Sequence, residues 1–505
     1  MTDRPDWALI RALPAAPLTQ LFADDPERVA RLSVDVAGIH FDFSKTHLSG
    51  DAIAAFEQVA RTMDLAGRRE ALFAGAHVNA TEDRPAGHTA ERGEGDDEMV
   101  ARAGLLHARM RALIDAIGSG ALGDVRHVIH VGIGGSALGP KLLVDALGRD
   151  DERYDVHVVS NVDGAALEET FKACDPQATL LVVASKTFTT TETMLNADSV
   201  LAWFGEHIVA DPYGRVIALT AAPDKAVEWG VDETRVLPFD DSVGGRYSLW
   251  SSIGFPAALK LGWDAFEQML DGAAELDRHF RLAAAHENAP VLAAFADLYY
   301  THNRGAETRA TFAYDERLRL LPSYLQQLEM ESNGKSVDRD GAPLEGSSAA
   351  ITWGGVGTDA QHAVFQLLHQ GTHLVPVEFV AVIEAGDVLN EDHHRQLLLN
   401  AFAQGAALMA GRANADDAAR AYPGDRPSST ILLEQLDART LGALIAFYEH
   451  RVFANGVLLG INSFDQFGVE LGKEMAKAAG ASLNGGGDGD FDASTRDLIA
   501  RAFSQ

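Results

Sequence analysis

Short apolar runs alternate with stretches of helical period through the middle of the chain. Apolar residues cluster at 127–131, 156–160, 179–184 and 215–220, and the segments between them read as helices, the first at 136–147. Apolar runs this short, without polar alternation, suit strands covered on both faces, and their regular exchange with helices predicts βαβ units on a parallel sheet. Upstream, the chain reads as helices and loops, with a periodic stretch at 50–72, while the acidic, glycine-containing segment 91–98 reads as an exposed turn. Downstream, helical period dominates, but strand candidates at 349–353 and 374–382 predict a second α/β unit. The tail holds a predicted helix at 466–479, the loop Asn484-Gly485-Gly486-Gly487 and a final short helix. The expected organisation is a helical N-terminal segment at 1–110, a first α/β domain at 111–263, a second at 264–455 and a helical tail at 456–505.

Composition narrows the class without naming a function. A chain of 505 residues exceeds one ordinary core, so two intimately packed domains are expected. Hydrophobic residues at 47% and charged residues at 23% fit a globular protein, and no apolar run approaches the ~20 residues of a membrane span. The formal net charge of −31 repels nucleic acid and anionic lipid. An anionic substrate would therefore be held by local donors: helix N-termini, hydroxyls and a few cations. The single cysteine, Cys174, cannot form an internal disulfide, which fits a reducing cytosol. The N-terminus has early acids and no basic-then-apolar order, so no signal peptide is expected.

Candidate chemistry collects at turns and helix ends. Gly132-Ile133-Gly134-Gly135-Ser136 joins a predicted strand to a predicted helix, where glycines let the backbone approach an anion and the helix start offers free N–H groups. Gly132, Gly134 and Ala137 also fit the dinucleotide fingerprint G-x-G-x-x-G/A, and an ordinary tight turn uses the same residues. After the third strand comes Ser185-Lys186-Thr187-Phe188-Thr189-Thr190-Thr191-Glu192-Thr193. So many hydroxyls and a lysine at the carboxyl end of a parallel strand suit a phosphate, whereas an N-cap needs only one such residue.

Three further segments supply ionisable groups. Gln327 and Glu331 lie four apart on a predicted helix at 322–332, with Glu331 in the last turn, where the negative dipole end favours taking up a proton. A helix opening at Thr358 or Asp359 places His362, Gln366 and His369 on one face. In the tail, Gln466 and Lys473 lie seven apart, and Arg246 sits in a Gly-Arg-Tyr-Ser turn where it could steady an oxyanion. Taken singly, Glu331 and Lys473 are more often solvated surface residues, and His362 is as often a packed structural histidine.

Together these segments resemble the glucose-6-phosphate isomerase family, whose domains are of the sugar-isomerase (SIS) type. The resemblance rests on VGIGGSALGP, SKTFTTTET, GGRYSLWSSIG, QQLEMESNGK, TDAQHAVFQLLHQGT and INSFDQFGVELGK in that order, and extends from Asn79-Ala80-Thr81-Glu82-Asp83-Arg84 to Asp492-Ala493-Ser494-Thr495. It implies two doubly wound parallel-sheet domains with helical extensions and a homodimer. The implied reaction interconverts glucose 6-phosphate and fructose 6-phosphate through a cis-enediol, in glycolysis and gluconeogenesis, with no cofactor or metal. Residue by residue it implies Glu331 as the proton-transferring base, His362 as a ring-opening group supplied across the dimer, Lys473 at the ring oxygen and Arg246 at the enediolate. Ser185, Lys186, Thr187 and Thr190 match the phosphate loop, and Gly135, Ser136, Gln327 and Gln466 match other sugar or phosphate contacts. The chain departs from the family's GEPGTNGQH with Gly354-Gly355-Val356-Gly357-Thr358-Asp359-Ala360-Gln361-His362.

Two other classes use parts of the same sequence. A nicotinamide-dependent dehydrogenase would use the 132–137 turn and needs an acid after the second strand; Asp163 lies beyond the usual ~20-residue spacing. A non-catalytic sugar-phosphate sensor would leave Glu331, His362 and Lys473 idle.

Overall fold

The computed structural model describes residues 4–483 and 490–503, and its strands form two sheets. Strands β1 (Ser33–Val36) and β2 (Ile39–Asp42) form a hairpin ahead of the first parallel unit. That unit contains β3 (His127–Val131), β4 (Asp155–Val159), β5 (Thr179–Ala184), β6 (Val216–Thr220) and β7 (Val236–Pro238), ordered β4-β3-β5-β6-β7 and parallel throughout. Every residue of β5 and β6 is buried, the signature of strands covered on both faces.

The second sheet adds β8 (Thr308–Tyr314), β9 (Ile351–Val356), β10 (Val377–Val382) and β11 (Ser428–Leu433), in the order β1-β2-β11-β10-β8-β9. Strands β8 to β11 pair in parallel, and the hairpin is added antiparallel through β2 to β11. The mixed α/β class with parallel sheets is thus the class expected. The hairpin and strands β7, β8 and β11 were not anticipated, and the predicted strand at 349–353 runs instead over Ile351–Val356.

The helix Ala438–Leu459 is buried over nearly its whole length. It packs against the helix Trp263–Leu282 so closely that a Cβ on Gly272 would lie 1.9 Å from the Arg439 carbonyl oxygen, and one on Gly442 would lie 2.1 Å from that of Met269. Only glycine permits such backbone approach. The helix also carries ionisable groups into two buried clusters. In one, Arg92 donates to both oxygens of Asp277 (2.8 and 2.7 Å) and to Glu449 (2.5 Å), Trp250 Nε1 donates to Glu449 (2.8 Å), and His450 Nε2 lies 2.5 Å from Asp277. In the other, Arg451 bonds Asp297 and Glu378, and Arg309 also bonds Asp297.

The segment 91–98 therefore matches its expectation as an exposed turn only in part, Gly93 and residues 96–98 being exposed. Glu91 and Arg92 are buried in a short 3-10 turn, Ala90–Arg92, because Arg92 neutralises two interior carboxylates. Residues Met1–Ser463 form one compact unit and Phe464–Gln505 another. The second holds the helices Glu470–Leu483 and Ala493–Phe503. The predicted loop at 484–487 lies outside the described residues. Among the described residues no helix is long and apolar enough to cross a membrane.

Candidate active site

The order β4-β3-β5 makes the chain reverse its direction of progress at β3, so the carboxyl ends of β3 and β5 flank a topological switch point, where open α/β sheets bind ligands. The glycine turn follows β3 and the hydroxyl-rich segment follows β5. Gly134 takes φ +57° and precedes the helix Gly135–Leu147. A Cβ on Gly134 would come within 2.8 Å of Gln327 Nε2, and one on Gly135 within 2.1 Å of the Gly245 carbonyl oxygen. The turn is thus pressed against the segments carrying Gln327 and Arg246. Behind it, His130 is fully buried, its pKa pushed down to about 4 by desolvation, and its Nε2 lies 2.7 Å from the Ser136 carbonyl, which steadies the turn.

Glu331 lies in the last turn of the helix Leu321–Asn333, whose N-terminus accommodates Pro322 in its first turn. Its Oε2 accepts from Gln327 Nε2 at 2.8 Å and lies 3.6 Å from Arg246 Nη1, while its side chain keeps 21% of its exposure. Arg246 is buried and spreads its fork over separate partners: Nε donates to Ser332 Oγ and Nη2 to the Ser463 carbonyl, both at 2.6 Å. Ser332 Oγ is also 3.0 Å from the hydroxyl of Tyr247, whose pKa burial pushes up to about 12. Ser463 Oγ in turn donates to Asn333 Oδ1 at 2.7 Å. A carboxylate open on one side and a fixed guanidinium beside it can move a proton and stabilise the negative oxygen that results.

The hydroxyl-rich segment turns from β5 into the helix Thr191–Glu206, with Thr190 as N-cap residue and Phe188 at φ +51°. Ser185 Oγ and Thr190 Oγ1 are 3.1 Å apart, as are Thr187 Oγ1 and Thr189 Oγ1 at 2.8 Å. Thr187 is exposed, Thr190 half-buried and Ser185 buried. Lys186 reaches sideways, donating to the carbonyls of Asp241 (2.6 Å) and Val243 (3.1 Å) and pairing with Asp241 Oδ1 at 3.2 Å. Burial, with repulsion from Arg84, lowers its pKa against the pull of Asp241. Arg84 grips the same Asp241 (3.1 Å) and Glu82 (2.6 Å), so the 79–84 segment braces this loop.

The remaining expected groups are carried by other elements. His362 is exposed on the short helix Asp359–Ala363, and no hydrogen bond or ion pair joins it to Glu331 among the described residues. The expected continuous helix breaks at Val364, yet His362, Gln366 and His369 still line one open cleft, with Gln404, Arg412 and Tyr422. Gln361 beside it is fixed by the Tyr314 hydroxyl (2.8 Å) and by Asn400 (3.1 Å). Lys473 is exposed on the helix Glu470–Leu483, and Gln466 caps the preceding 3-10 turn Phe467–Val469, both in the separate C-terminal unit. Asp163, the acid a nicotinamide site would need, caps the helix Gly164–Ala173 by accepting from Ala165 N–H. Sequence reasoning missed Ser332, Tyr247, Ser463 and Asp241. Ser332, Tyr247 and Ser463 stand inside the motifs of the resemblance, but only their contacts reveal what they hold.

Comparison with known proteins covers nearly the whole chain. The family model described as phosphoglucose isomerase matches residues 42–499. The glucose-6-phosphate isomerase of Rhizorhabdus wittichii is 71% identical over 497 residues, covering 98% of each chain. That of Zymomonas mobilis is 64% identical, over 98% of this chain and 97% of its own. The crystal structure of a glucose-6-phosphate isomerase from Chlamydia trachomatis superposes with a TM-score of 0.89 at 31% identity, covering 99% of this chain and 98% of the other.

Proposed function

The chain belongs to the phosphoglucose isomerase family, and from that premise we propose how its own residues perform the reaction. The protein interconverts D-glucose 6-phosphate and D-fructose 6-phosphate, an intramolecular oxidoreduction of glycolysis and gluconeogenesis. Phosphate docks on Ser185, Thr187 and Thr190 at the start of the helix Thr191–Glu206, with Lys186 adding positive potential from its half-buried post. Gly135, Ser136, Gln327 and Gln466 contact the sugar or its phosphate. His362, supplied by a second copy of the chain, and Lys473 open the ring. Glu331 then removes the proton on C2, the C–H electrons form the C1–C2 double bond, and the former carbonyl oxygen becomes negative. Arg246 stabilises that oxygen, the C2 hydroxyl passes its proton to it, and Glu331 returns the carbon-bound proton to C1 as the carbonyl re-forms at C2. The enzyme is placed in the cytoplasm and works as a homodimer.

The observation that carries this reading is the convergence of Glu331, Gln327, Arg246 and the 134–135 turn from three distant parts of the sequence. The exposure of His362 on an open cleft supports its service to another copy. A coupled assay of fructose 6-phosphate conversion by Glu331→Gln should show at least a ~10²-fold loss of kcat; near-normal turnover would remove Glu331 from the chemistry. Mixing Glu331→Gln with His362→Ala under subunit exchange should restore roughly a quarter of native activity, because hybrid dimers hold one intact site. Inactive mixtures that contain hybrids would instead place His362 in its own subunit's site, and native turnover by His362→Ala alone would put it outside the reaction.

A further inference from the structure

At the opposite end of the first sheet from the glycine turn, three metal-binding side chains gather that the isomerisation does not use. His127 opens β3, and His157 lies in the neighbouring edge strand β4, where register sets Asp155 beside His127 and His157 beside Ile129. Because side chains two apart share a face, both imidazoles and the Asp155 carboxylate project from the same side of the sheet. Cys174, at the C-cap of the helix Gly164–Ala173, packs over that side in the cluster containing Ile129, Val159 and Leu167. One ligand atom from each of His127, His157 and Cys174 lies within 4.8 Å of the others.

We propose that His127, His157 and Cys174 form a site for a thiophilic divalent transition-metal ion, for which Zn2+ fits the donor set. Two imidazoles and a thiolate are borderline-to-soft donors of the kind that zinc prefers, at bond lengths of about 2.0–2.3 Å. A tetrahedron with those bonds has edges of about 3.3–3.7 Å, so closing the cluster takes side-chain movements of about 1 Å. Asp155 Oδ2 stands 3.5 Å from His127 Nδ1 and is available for the fourth position. His127 Nδ1 is buried without a hydrogen bond, an open valence that a metal would satisfy. Burial lowers the His157 pKa and so favours the neutral ring that ligation needs. It also pushes the Cys174 thiol up to about 11, so binding displaces one proton per ion to solvent as the sulfur becomes a thiolate. The half-buried imidazoles leave an entry path, and the buried sulfur closes the inner side.

The site is structural in its expected effect. The five-residue rise along β3 puts His127 about 16 Å from Gly132, too far for a bound ion to touch the sugar phosphate. It would fasten the edge strand β4 to β3 and to the helix that follows.

The tag-free protein should be titrated with Co2+ as a spectroscopic probe and then with Zn2+. The expected result is one cobalt per chain with a thiolate-to-metal charge-transfer band, displacement by Zn2+, a higher melting temperature and unchanged isomerase turnover. Cys174→Ser should lose the band and weaken Zn2+ binding at least ~100-fold, with native turnover showing that it folds. His157→Gln, on the edge strand, provides a second variant that keeps the thiol and should weaken binding comparably. Cobalt bound without charge transfer, or zinc affinity unchanged in either folded variant, would assign the metal to surface histidines and overturn the site. Absence of stoichiometric binding by the native protein would overturn it equally.

Discussion

Arg246 shows how much a single side chain depends on neighbours that carry no chemistry. Its planar fork reaches Ser332 Oγ, the Ser463 carbonyl and the Glu331 carboxylate in three directions, which a lysine ammonium cannot reproduce. Ser332 Oγ also shares a hydrogen bond with the Tyr247 hydroxyl, so it fixes both the guanidinium and the phenol. Replacing Ser332 by Ala removes a charge-assisted hydrogen bond of about 1.5–3 kcal/mol and should lower kcat at least tenfold, with a smaller change in KM. Steady-state kinetics on Ser332→Ala and Ser332→Thr check this: Thr keeps the hydroxyl and should recover part of the loss. A Ser332→Ala enzyme with native kcat would show that Arg246 holds its place unaided. Glu331 and Arg246 were legible because their motifs are specific. The serine beside Glu331 was not, since nothing in its sequence position says that its hydroxyl faces an arginine 86 residues away.

Among the elements, legibility followed the apolar pattern. The strands β3 and β5 were read at the bounds observed, because their mainly apolar runs stop at a glycine turn and at a hydroxyl-rich segment. Strand β8 escaped because Arg309 and Thr311 interrupt its apolar run; both are buried, Arg309 against Asp297 and Thr311 against Glu378. The hairpin of β1 and β2 escaped because its strands are short and partly exposed, and only pairing with β11 explains them. The loop between β5 and the helix Thr191–Glu206 raises a different question, since Lys186 is occupied by Asp241 and the Val243 carbonyl. On the proposed reading, hydroxyls and helix N–H groups are then left to meet the phosphate directly. Thr190→Val should accordingly raise KM for fructose 6-phosphate about tenfold while kcat changes little, the pattern of lost uniform binding. Equal KM values for native and variant enzymes would move phosphate recognition off this hydroxyl.

At the scale of the whole molecule, the cluster around Arg92 ties stability to pH. Desolvation raises Glu449 from its ordinary 4.5 to about 7 and Asp277 from 3.8 to about 6, because one guanidinium cannot fully offset two buried carboxylates. Groups whose folded pKa is raised bind more protons folded than unfolded, so their contribution is complete below the unfolded values and is lost as pH rises through about 6 to 7. Glu449→Gln removes one of these titrations while leaving Arg92, Asp277, Trp250 and His450 in place. Its melting temperature should fall less steeply than that of the native protein between about pH 5 and 8. Parallel slopes in the two proteins would show that Glu449 is already ionised throughout that range.

The long helix Ala438–Leu459 gives those clusters another meaning. A rod covered with hydrocarbon on all sides would sit almost equally well at several rotations, since dispersion forces discriminate weakly between one greasy neighbour and the next. Glu449, His450 and Arg451 are consecutive, so they leave the axis about 100° apart. The first two enter the Arg92 cluster, and the third enters the Asp297 cluster. Turning the rod by a single residue would strand ionised groups on both flanks at once. Those three side chains work like the teeth of a key, admitting one angular setting in a lock that apolar packing alone would leave loose.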